Sequence, residues 1–441
     1  MAQSQRDTLP TTSPMDWLPS APVLAIACAV LVLICVVLAL VLWSTKHHRD
    51  PHIHVKCEAG IDSLVPSLAG LSLGVVIEGN SVEILKNGEF FDVVMEAISK
   101  AKKSVHFESF LWKQGKLGKK LVDALCERAR AGVTVRVLVD AKGCDSMGDD
   151  ACPKLVAAGV KFGRFHPLKL HYIGVLNQRD HRKILLIDGK TAFVGGHCIV
   201  DEWKDETDGK GPYRDLSVRL QGPAVHQVQS VFSENWVAVT GELFAGEDYF
   251  PKTEARGDLK VHVAAVMPHG SAPAVKILHH MVICTATKRL WIQNPYFLPE
   301  PEAIDAMREA VKRGVDIRVM VPTAEASDMP LVQHAAHRNF GKLLAAGVRI
   351  FEFPTTLLHQ KVMTVDGVWS AVGSTNFDDR SFEINDEITL GIHGKAFAKQ
   401  LEEIFEEDLK VCKEVDAKAW ENRGTMHKLK DHFWYLWNEM L

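Results

Sequence analysis

Two copies of one short constellation stand out: His181, Lys183, Asp188 and Gly189, then His359, Lys361, Asp366 and Gly367, each spaced H-x-K-x-x-x-x-D-G. On a strand, a His and a Lys two residues apart point to the same face, so an imidazole and an ammonium can converge on one anionic ligand. At the same distance after each motif come VGGHC (Val194 to Cys198) and VGSTN (Val372 to Asn376), whose small residues allow close approach of backbone to a ligand. Two His and two Lys can supply a nucleophile, a proton donor and cations for such an anionic ligand, with no metal and no other cofactor. One such motif alone is weak; two in matching contexts are a strong signal.

The elements that must position these residues are themselves repeated. AGVTVRVLVD (Ala131 to Asp140) matches RGVDIRVMVP (Arg313 to Pro322), LVAAGVKFGRF from Leu155 matches LLAAGVRIFEF from Leu343, and DHRKILLIDG from Asp180 matches LHQKVMTVDG from Leu358. The matches keep their order and nearly constant offset, which marks a tandem duplication. In each half, helical periodicity (Gly118 to Ala131; Glu302 to Arg313) ends on a Gly and leads into a Val-rich run. Strands are expected at Ser104 to Trp112 and Arg289 to Leu298. The expected fold class is α/β: two duplicated halves with mixed sheets flanked by helices, 78–245 and 246–441, with loops at Asp201 to Gly211 and Thr240 to Gly257.

Ahead of the halves, Ala21 to Trp43 carries no charge and is long enough as a helix to cross a bilayer, after an N-terminal tail over 1–20 and before a juxtamembrane linker over 44–77. Lys46, Arg49 and Lys56 follow it against Arg6 before it, which places the remainder of the chain in the cytoplasm of a single-pass membrane protein. Four His (47, 48, 52 and 54) in that linker suit a polar juxtamembrane segment, and the aromatic and basic tail MHKLKDHFWYLWNEML suits a membrane interface or an amphipathic helix packed on the domain. The 51 Lys and Arg against 55 Asp and Glu leave a net charge of -4, so nucleic acid is not an expected partner. Nine widely spaced Cys without a C-x-x-C pair fit a reduced chain.

The paired motifs resemble the phospholipase D superfamily, whose signature is the duplicated H-x-K-x4-D. The resemblance runs from about Ser81 to Leu441 and is strongest toward bacterial cardiolipin synthases, through YRDLSVRLQGPAVHQVQSVFSENW (Tyr213 to Trp236), NPYFLPE (Asn294 to Glu300) and GSTNFDDRSFEINDE (Gly373 to Glu387). A single N-terminal helix departs from the two-helix form of the best-known members. The resemblance implies a phosphatidyltransferase of the inner cell membrane that joins two phosphatidylglycerol molecules into cardiolipin with release of glycerol. His181 would form a phosphohistidine and His359 would protonate the leaving glycerol, then deprotonate the acceptor hydroxyl. Lys183 and Lys361 would clamp the phosphate, with Asn376 and Ser374 in the phosphate-binding or orienting set. Asp188 and Asp366 close the motifs and are grouped with their catalytic residues, as structural groups bonding backbone near the site.

Aligning DLSVRL with EITLGI pairs Asp215 with Glu387, and a carboxylate there can hold an imidazole N–H and fix its tautomer; ordinary surface carboxylates are the alternative. Cys198 stands where the second half has Asn376, so the halves are expected to be unequal. A hydrolase releasing phosphatidic acid, a membrane-tethered nuclease and a lipid-binding scaffold are the competing readings, and the intact motifs speak against the last.

Overall fold

The computed structural model describes residues 21–49, 59–167, 177–206, 209, 211–266, 268, 273–424 and 431. The four linker His side chains and, apart from Asp431, the aromatic C-terminal tail lie outside the described residues. Residues 1–52 form one unit, whose described part is a single helix, α1 (Ala21–Arg49), continuing past Trp43. Its stretch Ala21–Val41 is wholly exposed and is long and apolar enough to cross a membrane. Residues 53–441 form the other unit.

In that unit the chain runs α2 (Ile61–Leu71), β1 (Ile77–Lys86), α3 (Glu89–Ser99), β2 (Ser104–Ser109), α4 (Lys116–Arg130), β3 (Thr134–Asp140), α5 (Ala151–Ala157), β4 (Lys161–Phe165), β5 (Ile184–Ile187), β6 (Thr191–Gly195), β7 (Leu216–Gln221) and α6 (Val225–Thr240). It repeats as β8 (Leu259–Val266), α7 (Ala274–Thr285), β9 (Arg289–Gln293), α8 (Pro301–Lys312), β10 (Asp316–Pro322), α9 (Pro330–Ala345), β11 (Arg349–Phe353), β12 (Val362–Val365), β13 (Trp369–Gly373), β14 (Glu387–His393) and α10 (Lys395–Leu409), and closes with β15 (Lys413–Glu414) and α11 (Ala417–Glu421).

Four helices end on a left-handed glycine that feeds the next strand: Gly132 after α4, Gly159 after α5, Gly314 after α8 and Gly347 after α9, with φ of 88°, 91°, 93° and 88°. Only glycine adopts that angle without cost, so the repeated Gly marks the repeated helix-to-strand corner. Strands β2, β3 and β4 pair in parallel, as do β9, β10 and β11; the other pairings are antiparallel. The result is a mixed 15-stranded sheet ordered β15-β11-β10-β9-β12-β13-β14-β8-β1-β7-β6-β5-β2-β3-β4. Apart from β15, that order reads the same from both ends, with equivalent strands β8 and β1 meeting at the centre.

One hydrophobic cluster draws on both repeats, with Val194, Val218, Leu220 and Phe232 packed with Val372, Ile388, Leu390 and Phe397. Two larger clusters lie mostly within one repeat each, that of the first repeat also taking in Leu357 of the second. Helix α2 lies inside the expected linker, yet it buries Ile61, Val65 and Leu68 in the cluster of the second repeat. At roughly 1.5–3 kcal/mol per buried aliphatic side chain, those three contacts make it part of the fold and not a tether. The expected strands Ser104 to Trp112 and Arg289 to Leu298 are shorter, because β2 stops at Ser109 and β9 at Gln293, after which Trp112 and Phe297 make single bridges to Ile199 and Phe377. The eight described cysteines are all free.

The D-G pair that closes each motif has a structural cause. Asp188 and Gly189 both have positive φ, 53° and 62°, and so do Asp366 and Gly367, 52° and 69°. Two consecutive left-handed residues make the type I′ turn that matches strand twist, here joining β5 to β6 and β12 to β13. The Asp188 carboxylate accepts the backbone N–H groups of Lys102, Lys103 and Ser104 at 3.0, 2.6 and 2.9 Å. Asp366 accepts those of Thr287, Lys288 and Arg289 at 2.9, 2.7 and 3.0 Å.

These aspartates bond backbone at the turn that follows β5 or β12, while the His lies before that strand, seven residues or roughly 20 Å away at extended rise. In the structure they anchor the hairpins through these backbone hydrogen bonds. Asp188→Ala is expected to lower stability by about 2 kcal/mol, the scale of hydrogen bonds to a charged group, while the folded fraction keeps its specific activity. Thermal melting beside activity measurements tests this, and lost activity at unchanged melting temperature would return Asp188 to the chemistry.

Candidate active site

Each catalytic segment lies just before a hairpin strand and runs beside a segment of the other repeat. Asp180 bridges Asp386 in parallel, and Leu358 bridges Arg214 in the same way. The His181 backbone N–H donates to the Asp386 carbonyl at 2.9 Å, and that of His359 to the Arg214 carbonyl at 2.8 Å. The next residue on each facing segment is a carboxylate, Glu387 or Asp215. His181 Nδ1 meets Glu387 Oε1 at 2.8 Å, and His359 Nδ1 meets Asp215 Oδ2 at 2.9 Å. Each imidazole is thus oriented by the opposite repeat, and both carboxylates are fully buried instead of lying on the surface.

Lys183 and Lys361 curl back onto their own motifs, Nζ donating to the carbonyls of His181 and His359 at 2.6 and 2.8 Å. The four groups are buried, at 7, 6, 5 and 4 % exposure for His181, Lys183, His359 and Lys361. Burial, reinforced by the charges of Lys183 and Lys361, holds His181 well below the usual imidazole range, so its ring is neutral. His359 is also lowered, by burial and by Lys361, but the Asp215 carboxylate works against that shift. Lys361 is pulled down to about 7 by burial, with Asp215 opposing, so a bound phosphate anion would secure its proton.

The two orienting carboxylates are unequal. Burial alone would raise Asp215, yet the neighbouring His197 and His359 bring it to about 2. It accepts Trp203 Nε1–H at 2.8 Å and the Leu216 backbone N–H at 2.7 Å, both groups that can only donate, so it is an anion. Glu387 is raised to about 8 by burial, with Lys183 drawing it back. Its Oε2 accepts from the Ser374 hydroxyl, which in turn accepts the Ile388 N–H at 3.0 Å. Where the second repeat has Ser374 the first has Gly196, and a Cβ there would lie 2.2 Å from Asp215 Oδ1. The shorter acid therefore has a glycine behind it and the longer one a serine beside it.

Asn376 is buried at the edge of this group, and its Oδ1 has no partner among the described residues. Its counterpart Cys198 points Sγ toward the Gly196 carbonyl at 3.7 Å, and burial pushes the thiol up to about 11, which leaves a weak neutral donor. Sequence reasoning passed over the aromatic walls. Phe110 stands edge-on to His181 with Lys183 Nζ 5.0 Å from its ring centre, and Trp203 stands edge-on to His359.

It also passed over Arg182, which occupies the unspecified position between His and Lys. That side chain is fully buried and reaches the Val231 carbonyl at 3.0 Å and the Val266 carbonyl at 3.1 Å. A charged residue inside a buried motif was the available signal, since such a group persists only when paired. The only metal-sized cluster found among the described residues, His334, His337 and Asp431, is on α9 and beyond, and an Arg423 guanidinium sits 3.3 Å from that carboxylate. None of the three belongs to the catalytic group.

Comparison with known proteins agrees with this geometry. The family model described as "Cardiolipin synthase, PLD-like domain" matches residues 94–201 and 281–409, one motif in each segment. A probable cardiolipin synthase, YwiE, of Bacillus subtilis (strain 168) is 34 % identical over 365 residues, covering 82 % of this chain and 72 % of the relative. The major cardiolipin synthase ClsA of the same organism is also 34 % identical, over 81 % of this chain and 74 % of its own. The fold is shared with the phosphatidylserine synthase of Haemophilus influenzae Rd KW20, at TM-score 0.67 and 15 % identity over 82 % of this chain and 95 % of that one.

The chain is therefore an enzyme of the phospholipase D superfamily. Within it, the chain belongs to the cardiolipin synthase family.

The raised Glu387 makes a prediction. For a nucleophilic His181, that proton must leave before the carboxylate can accept the Nδ1–H and free Nε2. At saturating substrate, where bound phosphate keeps Lys361 charged, turnover should rise with pH through about 8. Glu387→Gln, whose amide oxygen accepts at every pH, should flatten that rise in a pH–rate profile. A rise with the same midpoint in the variant would assign the titration to another group.

Proposed function

We propose that this chain joins two phosphatidylglycerol molecules into cardiolipin with release of glycerol, using His181 as nucleophile and His359 as acid and base. The observation that carries this reading is the interlocked pair of imidazole–carboxylate contacts, His181 with Glu387 and His359 with Asp215, flanked by Lys183 and Lys361 in a chain of the cardiolipin synthase family. In the first step His181 Nε2 bonds to phosphorus, the bond to the glycerol oxygen breaks, and His359 delivers its proton to that oxygen. In the second, an acceptor hydroxyl gives its proton to His359, attacks phosphorus and releases His181. The neutral state of His181 supports its role as nucleophile. The ionised Asp215 supports the imidazolium that His359 must be before it protonates the leaving glycerol, and that it becomes again when it takes the acceptor's proton.

Lys183, Lys361 and Asn376 are the donors for the phosphate oxygens, and Ser374 positions Glu387. The burial of all four motif groups supports transfer to a lipid hydroxyl over release to water. In this reading the halves span 78–245 and 246–441. The N-terminal helix anchors the protein once in the inner membrane, with the catalytic unit in the cytoplasm, as the Lys46, Arg49 and Lys56 flank suggests.

Incubation of the detergent-solubilised protein with phosphatidylglycerol, followed by mass spectrometry of lipids, tests the reading. Cardiolipin and free glycerol are expected, and His181→Ala and His359→Ala should each cost at least about 10²–10⁴-fold in rate. Phosphatidic acid as the main product would make the protein a hydrolase. Near-normal turnover by either variant would overturn the two-histidine mechanism.

A further inference from the structure

Two guanidinium groups near His181 have no part in the steps above. Arg179 precedes it by two residues and is 7 % exposed. Its Nη1 lies 3.8 Å from Asp140 Oδ2 and has no hydrogen-bond partner among the described residues. Asp140 already accepts the backbone N–H groups of Lys142, Gly143 and Asp180 at 2.9, 2.9 and 3.0 Å. Arg380 opens a π-helical turn, Arg380–Ile384, ahead of β14. Asn177 holds it at both ends of the guanidinium, Nη1 to Oδ1 at 2.8 Å and Nη2 to the carbonyl at 2.9 Å.

The segments carrying the two arginines are laced together, the Asp386 N–H donating to the Arg179 carbonyl at 2.8 Å and the Arg179 N–H to Asn385 Oδ1 at 3.3 Å. The two cations feel one another: burial lowers Arg380 first, and the charge of Arg179 lowers it further against the carboxylates of Asp378, Asp140 and Glu387. Arg380 also stands among the charges that depress His181.

One phosphodiester brings one negative charge, and Lys183 with Lys361 already answer it. Two more cations beside that centre, Arg179 buried and Arg380 half-buried, favour an anion that meets them. A guanidinium fork is the group best matched to phosphate oxygens. We propose that Arg179 and Arg380 form a second phosphate site, which holds the phosphodiester of an anionic acceptor lipid while its hydroxyl attacks the phosphohistidine. This rests on the phosphatidyl-transfer reading and adds what that reading leaves open, the recognition of the acceptor.

The test uses two acceptors in one reaction. Full-length protein in detergent receives phosphatidylglycerol and isotopically labelled glycerol. Labelled phosphatidylglycerol reports transfer to a neutral acceptor, with one phosphate in the site, and cardiolipin reports transfer to an anionic one, with two. Arg380→Gln and Arg179→Gln are each expected to lower the ratio of cardiolipin to labelled phosphatidylglycerol by about tenfold or more, the scale of a charge-assisted hydrogen bond. Arg380→Lys should recover part of that ratio.

An unchanged ratio in both Gln variants, whether the two rates fall together or hold, overturns the second site. Wild-type protein that forms neither product overturns the phosphatidyl-transfer reading itself, and this site with it.

Discussion

The exchange of carboxylates between repeats is the constraint on which the structure depends. Neither repeat contains a working imidazole of its own, because the group that sets each ring comes from the other: Glu387 for His181 and Asp215 for His359. The main chain enforces the exchange, since the hydrogen bonds from His181 to Asp386 and from His359 to Arg214 fix each motif against the residue that precedes the partner carboxylate. A shift of either repeat by one residue would turn both carboxylates away together. The central β1–β8 pairing and the shared cluster around Phe232 and Phe397 hold that register, so the sheet and its core serve the alignment of two side-chain pairs.

Burial makes the same constraint electrostatic. Two lysines, two imidazoles and two carboxylates are withdrawn from water, where each charge matters far more than at a surface. The cost is met by pairing, and Arg182 shows how it spreads outward: its guanidinium faces Glu234 at 3.4 Å and Asp386 at 3.6 Å and takes carbonyls from α6 and β8. A site prepared this way has its dipoles aimed before substrate arrives, which is the condition for electrostatic catalysis.

How much of this was legible in the sequence follows from what kind of signal each residue leaves. The duplication, the His and Lys of each motif and the helix-ending glycines repeat at fixed offsets, and such regularities survive without coordinates. Asp215 and Glu387 were reached through the internal alignment, but their crossing over to the opposite His was not legible, because partner choice depends on how the repeats face one another. Asp188 and Asp366 were legible as structural groups bonding backbone, and an Asp-Gly pair between two apolar runs, the strongest short-range hairpin signal, is the physical reason they close each motif. Helix α2 was hidden in a stretch taken for linker because its apolar face is short and Pro66 interrupts it. Trp203 and Phe110 left no pattern, since an aromatic ring beside an imidazole is a matter of tertiary placement.

Duplication supplies two equal halves, and a reaction with a nucleophile and a proton carrier needs unequal ones. Here the inequality is built from small substitutions around a common frame. A methylene separates Glu387 from Asp215, a hydroxymethyl separates Ser374 from Gly196, and a fixed indole donor, Trp203, bears on one acid only. The donor-only neighbours of Asp215 leave it no choice but to be an anion, whereas Glu387 faces a hydroxyl that can give or take a hydrogen bond and so tolerates a proton. That difference in what each carboxylate is permitted to be passes directly to the imidazole it holds. Two nearly identical motifs thereby place their imidazoles against carboxylates of different charge, an anion at Asp215 and a proton-tolerant acid at Glu387, without any change in the histidines themselves.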